Sequence, residues 1–197
     1  PELLGNLDFI LLSKTSMLRD ALEHLENSED YWAVVVDSLW SYQNIMAQEI
    51  IDAELAADTL ALQKNPQSRK VLHDPDLLEQ RDWGRILHRF WVDVSRLQHL
   101  AITPPYRHVI VTCQLGERPD PKDPKRQEMI YYPMLRGAWQ TLVGLHFSLV
   151  GYLEAGSYQQ RGEVVFKNRL YTFPQGNYMA KSRYDLPPVI EMPTAGI

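Results

Sequence analysis

Apolar and polar residues follow one another along the first hundred residues in blocks that predict strands and helices in turn. The apolar run Leu7 to Leu12 has strand character, and from Ser13 to Leu25 the apolar positions recur with helical spacing. Tyr31 to Leu39 contains a continuous β-branched run, which is typical of a strand in a parallel sheet covered by helices on both faces. Two longer helical patterns follow, over Tyr42 to Leu62 and from about Pro75 or Asp76 to Leu100.

The pattern is more broken in the second half of the chain. Arg107 to Leu115 predicts another buried strand, and the proline-rich, charged stretch Gly116 to Gln127 has no periodicity and predicts a loop. Further along we expect a short helix over Pro133 to Gly144 and a strand over Phe147 to Leu153. Two more strands, Glu163 to Phe173 and Tyr178 to Arg183, are predicted to form a hairpin, because Pro174 to Asn177 between them has the composition of a turn.

This order of elements predicts the fold class. Alternating strands and helices indicate an α/β fold with a mostly parallel sheet, helices on both faces and a C-terminal antiparallel hairpin. A chain of 197 residues favours a single domain, since cores divide only beyond about 250 residues.

Composition excludes several classes of function. Twenty Lys and Arg against twenty-five Asp and Glu give a net charge of −5, so no strong overall positive field attracts nucleic acid or anionic lipid. The single cysteine, Cys113, excludes an internal disulfide framework and a cysteine-rich zinc site. No apolar run reaches the roughly 20 residues that a membrane span needs, so we expect no membrane partner.

Polar side chains follow the two buried strands at the point where each strand ends. Asp37 and Ser38 come after the first, and Thr112 and Gln114 end the second. Open parallel sheets carry their working groups at such carboxyl ends, where an acid can hold Mg²⁺ through water and an amide can contact a phosphate. The alternative for Asp37 is structural, with its carboxylate capping the helix that follows.

Two cations stand two residues apart near the end of the chain. Lys181 and Arg183 would project from the same face of a strand and could both reach one anion. The alternative is a solvated edge strand whose charges prevent aggregation.

These motifs together resemble the core of RecA-superfamily ATPases, from about Asp8 to Pro188. Ala33 to Leu39 resembles the Walker B strand, and Val109 to Gln114 is similar to the strand that leads to the γ-phosphate sensor. Met179 to Arg183, followed by Tyr-Asp-Leu-Pro, resembles the Lys-x-Arg hairpin of DnaB-type helicases and RecA-like phage ATPases. Tyr132 to Gly137 is similar to the P-x-L-x-G stretch of phage RecA-like ATPases linked to single-strand annealing.

The resemblance implies a RecA-like three-layer core that binds ATP and Mg²⁺ and works as a homo-oligomer. It implies catalytic roles for Asp37, which would hold Mg²⁺ through water, and for Gln114. It implies nucleotide contacts for Ser38, Thr112, Lys181 and Arg183, the last two on the nucleotide of a neighbouring subunit.

The loop from Gly116 to Met129 lies where RecA-like proteins carry a DNA-contacting loop. The resemblance therefore implies single-stranded DNA as a partner, with Lys122, Lys125 and Arg126 on phosphates and Tyr131 or Tyr132 stacked on a base. Four acidic residues nearly cancel the charge of this loop, and a solvated surface loop is the alternative.

One departure from the family limits the prediction of activity. No G-x-x-x-x-G-K-[ST] phosphate loop occurs in residues 1–197, although Ser13-Lys14-Thr15 is similar to the last three residues of that motif. We therefore expect residues 1–197 to form a single RecA-like domain without the N-terminal P-loop strand and helix. The use of ATP and Mg²⁺, and ATP hydrolysis itself, would then need an upstream Walker A segment, and no catalytic Glu can be placed.

Two alternatives to the ATPase stay open at this stage. The chain could be a non-catalytic RecA-derived interaction module or a phage structural or assembly component, or an unrelated α/β protein. An ATPase encoded by a phage would work in the cytoplasm of a bacterial host, and the structural alternative would place the chain in the virion.

Overall fold

The chain forms two compact units, Pro1–Thr112 and Cys113–Ile197. The computed structural model describes residues 7–67, 74, 78–123, 125, 128–160, 163–174 and 176–192. Among them, no helix combines the length and the apolar character needed to cross a membrane.

Among the described residues the first unit contains three helices and two strands, in the predicted order except that the strand predicted at Leu7 to Leu12 is absent. They are α1 (Thr15–Glu26), β1 (Ala33–Val36), α2 (Leu39–Lys64), α3 (Gln80–Ile102) and β2 (His108–Val111). The start of α3 is fixed by a capping box, in which Glu79 and Asp82 each accept a backbone amide of the other. The helices pack through a core that includes Leu22, Met46, Ile50, Ile86, Phe90 and Leu97.

A buried polar junction joins the three helices. Asp93 of α3 is only 1% exposed, and its carboxylate accepts two hydrogen bonds from Arg19 of α1, at 3.1 and 3.2 Å. Tyr42 of α2 donates its hydroxyl to the same carboxylate at 2.6 Å. Burial, together with this hydrogen bond, raises the pKa of Tyr42 far above its usual range. The junction therefore keeps a neutral tyrosine and a paired carboxylate inside the helical layer.

Strands β1 and β2 form the only parallel pair among the described residues, in the register Ala33↔His108 to Val36↔Val111. One face of this pair is open, since Val35 is 62% exposed and Ile110 is 52% exposed. The α/β class is confirmed, but the larger parallel sheet with helices on both faces is not found in the described part of the chain.

The segment Leu7 to Leu12 is not a strand, and that prediction is wrong. Phe9 is 85% exposed and Leu11 is 90% exposed. A strand needs a neighbouring strand for its hydrogen bonds, and none of the described strands pairs with this segment. The prediction relied on apolar composition alone, which does not show whether another strand lies beside this segment to pair with it.

The second unit is mainly antiparallel. Its elements are β3 (Leu115–Pro119), β4 (Met129–Pro133), α4 (Trp139–His146), β5 (Leu149–Val150), β6 (Tyr152–Gln160), β7 (Glu163–Tyr171), β8 (Lys181–Ser182) and β9 (Val189–Met192). They form three small sheets, β3–β4, β5–β8 and β6–β7–β9, whose pairs all run antiparallel.

Two predictions in this unit are corrected by strand pairing. The stretch Gly116 to Gln127 is not a plain loop, because its first residues belong to β3, which pairs with β4. The predicted hairpin of Glu163 to Phe173 with Tyr178 to Arg183 does not form, since β7 pairs with β6 and β9 while β8 pairs with β5. The nine-residue match of β6 with β7 satisfies far more backbone groups than the predicted hairpin could.

Candidate functional site

Two side chains meet at the carboxyl ends of the parallel strands. Asp37 directly follows β1 and Thr112 directly follows β2, and the Thr112 hydroxyl donates a hydrogen bond to Oδ1 of Asp37. Backbone hydrogen bonds fix this geometry, from the Thr112 amide to the Val36 carbonyl at 3.0 Å and from the Leu39 amide to the Thr112 carbonyl at 2.9 Å. Both side chains are exposed, so the pair is open to a ligand.

Ser38 supplies the helix cap that the structural alternative assigned to Asp37. Its hydroxyl oxygen accepts the Ser41 amide at 3.3 Å and thereby caps the N-terminus of α2. The Ser38 hydroxyl also lies 3.2 Å from the Ser41 hydroxyl. Asp37 is therefore not needed as a cap, and Oδ2 of its carboxylate accepts no hydrogen bond from the described residues.

The open carboxylate of Asp37 fits a magnesium ion held through water. Mg²⁺ keeps several of its waters and is usually bound through one or two carboxylates together with substrate phosphates. Within the described ranges, no group of three or more His, Cys, Asp or Glu side chains could hold a metal by itself. The donor set at Asp37 therefore suits a hydrated Mg²⁺ that a phosphate helps to hold.

Gln114 lies at the start of the second unit, one residue before β3. Its side chain is exposed and makes no hydrogen bond within the described part of the chain. Its backbone carbonyl accepts the Met134 amide at 2.7 Å, which extends the pairing of β3 with β4 beyond Leu115 and Pro133. The amide group of Gln114 is thus free to contact a ligand from a position that the hairpin fixes.

Lys181 and Arg183 lie at β8 beside the end of α4. The Arg183 amide donates to the Ser148 carbonyl at 2.9 Å, and its guanidinium approaches the Leu145 carbonyl at 3.4 Å. Neither side chain forms an ion pair with a described residue. Burial, and then the charge of Arg183, lowers the pKa of Lys181.

His146, at the end of α4, is a neighbour of this pair that sequence reasoning missed. Burial, and then the charge of Lys181, lowers the pKa of His146. The lowered pKa favours a neutral imidazole at His146, so the cations of this site are Lys181 and Arg183. Nothing in the local sequence predicts that Lys181 influences His146, because the pairing of β5 with β8 brings their segments together.

The tip of the β3–β4 hairpin carries the cations predicted to contact DNA. Asp120 accepts the Lys122 amide at 2.8 Å, and Asp123 accepts the Lys125 amide at 2.9 Å. These carboxylates shape the backbone turns, while the ammonium groups of Lys122 and Lys125 form no ion pair with a described residue. Arg126, the third predicted contact, lies outside the described residues.

The two tyrosines considered for base stacking have different surroundings. Tyr131 stacks on Tyr178, with ring centroids 4.6 Å apart, and Tyr178 stacks in turn on Tyr152 at 3.9 Å. On the other face of the hairpin, the Arg118 guanidinium lies 5.2 Å above the ring of Tyr132. Gly116 permits this arrangement, because a Cβ there would lie 2.8 Å from the Tyr132 ring.

A family model described as "AAA domain" matches residues 4–184, which is most of the chain. No curated protein and no solved structure matches the chain.

Proposed function

The chain belongs to the AAA domain family, and from that premise we propose that it is the nucleotide-handling core of a RecA-like, phage-type ATPase. In this proposal it acts as an oligomer on single-stranded DNA during recombination or annealing, and it needs a P-loop that residues 1–197 do not contain. Family membership by itself gives a nucleotide-binding, ATPase-like function. The finer assignment rests on the motifs that resemble RecA-superfamily proteins and on the geometry of the groups they contain.

The observation that carries the proposal is the pair formed by Asp37 and Thr112. An acid and a hydroxyl at the ends of adjacent parallel strands occupy the position where open α/β sheets bind their ligands. Bound Mg²⁺ would neutralise charge on the phosphates of ATP. Asp37 would hold the water shell of the ion with its open oxygen, and Thr112 would fix the orientation of the carboxylate.

The cations of β8 support the oligomeric part of the proposal. Lys181 and Arg183 make no ion pair with described residues, so they are available to an anion from outside the chain. An Arg that reaches the nucleotide of a neighbouring subunit stabilises charge in the transition state. Mixing two inactive variants, Asp37→Ala and Lys181→Ala, should therefore restore part of the ATPase activity if sites are shared between subunits.

The hairpin tip supports the DNA part of the proposal. Lys122 and Lys125 project from turns whose shape Asp120 and Asp123 maintain. Each contact to a phosphate of single-stranded DNA contributes about 0.7 to the slope of log K against log salt concentration. Replacing Lys122 and Lys125 with Ala should weaken the binding of a labelled oligonucleotide and reduce this slope by about 1.4.

The matched control for the DNA experiment is Lys64→Ala, which removes an exposed lysine at the end of α2. If the double hairpin variant and this control show the same salt dependence, the hairpin does not contact DNA. The same series with Arg126→Ala tests the third predicted contact.

The central experiment tests Asp37 in the full-length protein, as its natural source produces it. Thermal unfolding with and without Mg-ATP measures nucleotide binding, which stabilises a protein by about 2.7 kcal/mol at a hundredfold excess over Kd. We expect Asp37→Asn to abolish Mg-dependent stabilisation and hydrolysis, and Thr112→Val to weaken both. The control is Asp20→Asn, an exposed acid on α1 of the same unit.

Two results would decide against parts of the proposal. If Asp37→Asn binds and hydrolyses Mg-ATP as the wild type does, the pair formed by Asp37 and Thr112 is not part of the nucleotide site. Absence of any nucleotide effect on the wild-type protein would favour the alternative, a non-catalytic interaction or assembly module.

A further inference from the structure

The two faces of the β3–β4 hairpin differ in their chemistry. Cross-strand register places Arg118 and Tyr132 on one face of the pair. The opposite face carries Glu117, the only acidic residue of these two strands, and Tyr131, whose ring is already stacked on Tyr178. The first face therefore combines a cation with an aromatic ring and has no strand carboxylate to neutralise the cation.

The guanidinium of Arg118 has a fixed support in the ring of Tyr132. The two residues are diagonal neighbours in the register, and the guanidinium carbon lies 5.2 Å from the ring centroid, within the range of a cation–π contact. Gly116 lies directly opposite Tyr132, and a Cβ there would stand 2.8 Å from the ring. The absence of a side chain at Gly116 thus lets the ring lie close against β3 beneath the guanidinium.

Gln140, near the start of α4, is the third member of this group. Nη1 of Arg118 donates to Oε1 of Gln140 at 3.3 Å, so the carboxamide oxygen of Gln140 faces the guanidinium. The Nε2 group of Gln140 makes no hydrogen bond with a described residue. Arg118 is exposed and forms no ion pair within the described ranges. A supported planar cation and an amide with free donors therefore lie side by side.

We propose that Arg118, Tyr132 and Gln140 bind one nucleobase of single-stranded DNA. The base stacks on the guanidinium of Arg118, as unpaired bases do on aromatic rings and guanidinium planes. Nε2 of Gln140 donates to an acceptor atom on the edge of the base. Lys122 and Lys125, at the tip of the same hairpin, are placed to contact the phosphates that flank a base within a strand.

This inference rests on the DNA part of the proposed function and makes it more specific. It assigns the base contact to the guanidinium of Arg118, with Tyr132 as the support beneath it. Tyr131 takes no part, because its ring is stacked on Tyr178.

The test compares two labelled oligonucleotides, binding to the full-length protein, in fluorescence anisotropy. One is an ordinary single strand, and the other is an abasic strand of the same length that keeps every phosphate and has no bases. Arg118→Lys keeps the positive charge and removes the planar group, so we expect the Kd for the ordinary strand to rise about tenfold. The slope of log K against log salt concentration should stay unchanged, and the abasic strand should bind to this variant and to the wild type equally well.

Two variants of the supporting ring complete the series. Tyr132→Phe keeps an aromatic ring beneath the guanidinium and should bind the ordinary strand as the wild type does. Tyr132→Leu removes the ring and should weaken binding in the same direction as Arg118→Lys. Arg85→Lys, which changes an exposed arginine of α3, is the matched control, and circular dichroism with thermal unfolding checks that each variant is folded.

The outcomes separate this inference from the proposal on which it rests. If Arg118→Lys binds the ordinary strand as tightly as the wild type, while replacement of Lys122 and Lys125 weakens binding, the base site is wrong and the proposed DNA contact stands. An equal loss on the ordinary and abasic strands would show that Arg118 contacts a phosphate, which also overturns the base site. Loss of stabilisation by Mg-ATP in Arg118→Lys, with oligonucleotide binding intact, would assign the base to a mononucleotide instead. A wild-type protein that binds no single-stranded DNA would overturn both.

Discussion

The buried junction of the three helices gives the sharpest prediction for stability. In Tyr42→Phe the ring stays in place and only the hydroxyl is lost, so no cavity of consequence forms. The lost interaction is a 2.6 Å hydrogen bond to the carboxylate of Asp93, which is 1% exposed. Hydrogen bonds to charged groups contribute about 1.5–3 kcal/mol, so we expect the free energy of unfolding to fall by about 2 kcal/mol.

Urea unfolding followed by circular dichroism measures this change, with the m-value as a check that the unfolded state is unaltered. The control is Tyr106→Phe, which removes a hydroxyl from a tyrosine that is 66% exposed. Asp93→Ala should cost more than Tyr42→Phe, about 3–5 kcal/mol, because it leaves Arg19 and Tyr42 without their shared acceptor. A loss below about 0.5 kcal/mol for Tyr42→Phe would refute the argument, since that is the range of ordinary surface substitutions.

Three further predictions follow from other local contacts. Ser38→Ala removes the cap of α2 and should lower the free energy of unfolding by about 1 kcal/mol, measured by urea unfolding against Ser16→Ala. The hydrogen bond with Arg96 lowers the pKa of Glu26, so this ion pair stabilises the fold fully above pH 4.5 and is lost as the pH falls through the lowered pKa. In Glu26→Gln the free energy of unfolding should therefore depend less on pH in this acid range, as measured by urea unfolding at a series of pH values. Burial and a hydrogen bond with Tyr178 raise the pKa of Tyr152 to about 12, so stability should decline between about pH 10 and 12, and less so in Tyr152→Phe.

The parts of the fold that were predictable are those that local patterns determine. The helices α1, α2 and α3 follow from apolar stripes within single segments, and β1 and β2 follow from β-branched runs. The pairing of strands is not local. The sequence therefore predicted a strand at Leu7 to Leu12, with which none of the described strands pairs, and it paired β8 with the wrong strand.

The candidate site shows the same division between local and non-local information. Asp37 and Thr112 were identified because each follows an apolar strand. Their hydrogen bond could not be predicted, because it requires β1 and β2 to be adjacent and in one particular register. The backbone geometry at the start of α2 decides that Ser38 caps the helix and that the carboxylate of Asp37 does not. Two neighbouring polar residues do not reveal which of them will take the cap.

The position of α2 links the strand ends to a distant part of the first unit. The helix begins directly after Ser38 and continues for 26 residues, which makes it about 39 Å long. For a rigid helix of this length, a rotation of about 5° at Ser38 corresponds to a displacement of about 3 Å at Lys64. Glu54 lies about 23 Å from the start of α2 at a rise of about 1.5 Å per residue, and it pairs with Arg81 and Arg85 of α3. These ion pairs therefore hold α2 against α3 about four helical turns from the strand ends, and a tilt of α2 would have to break them or carry α3 with it.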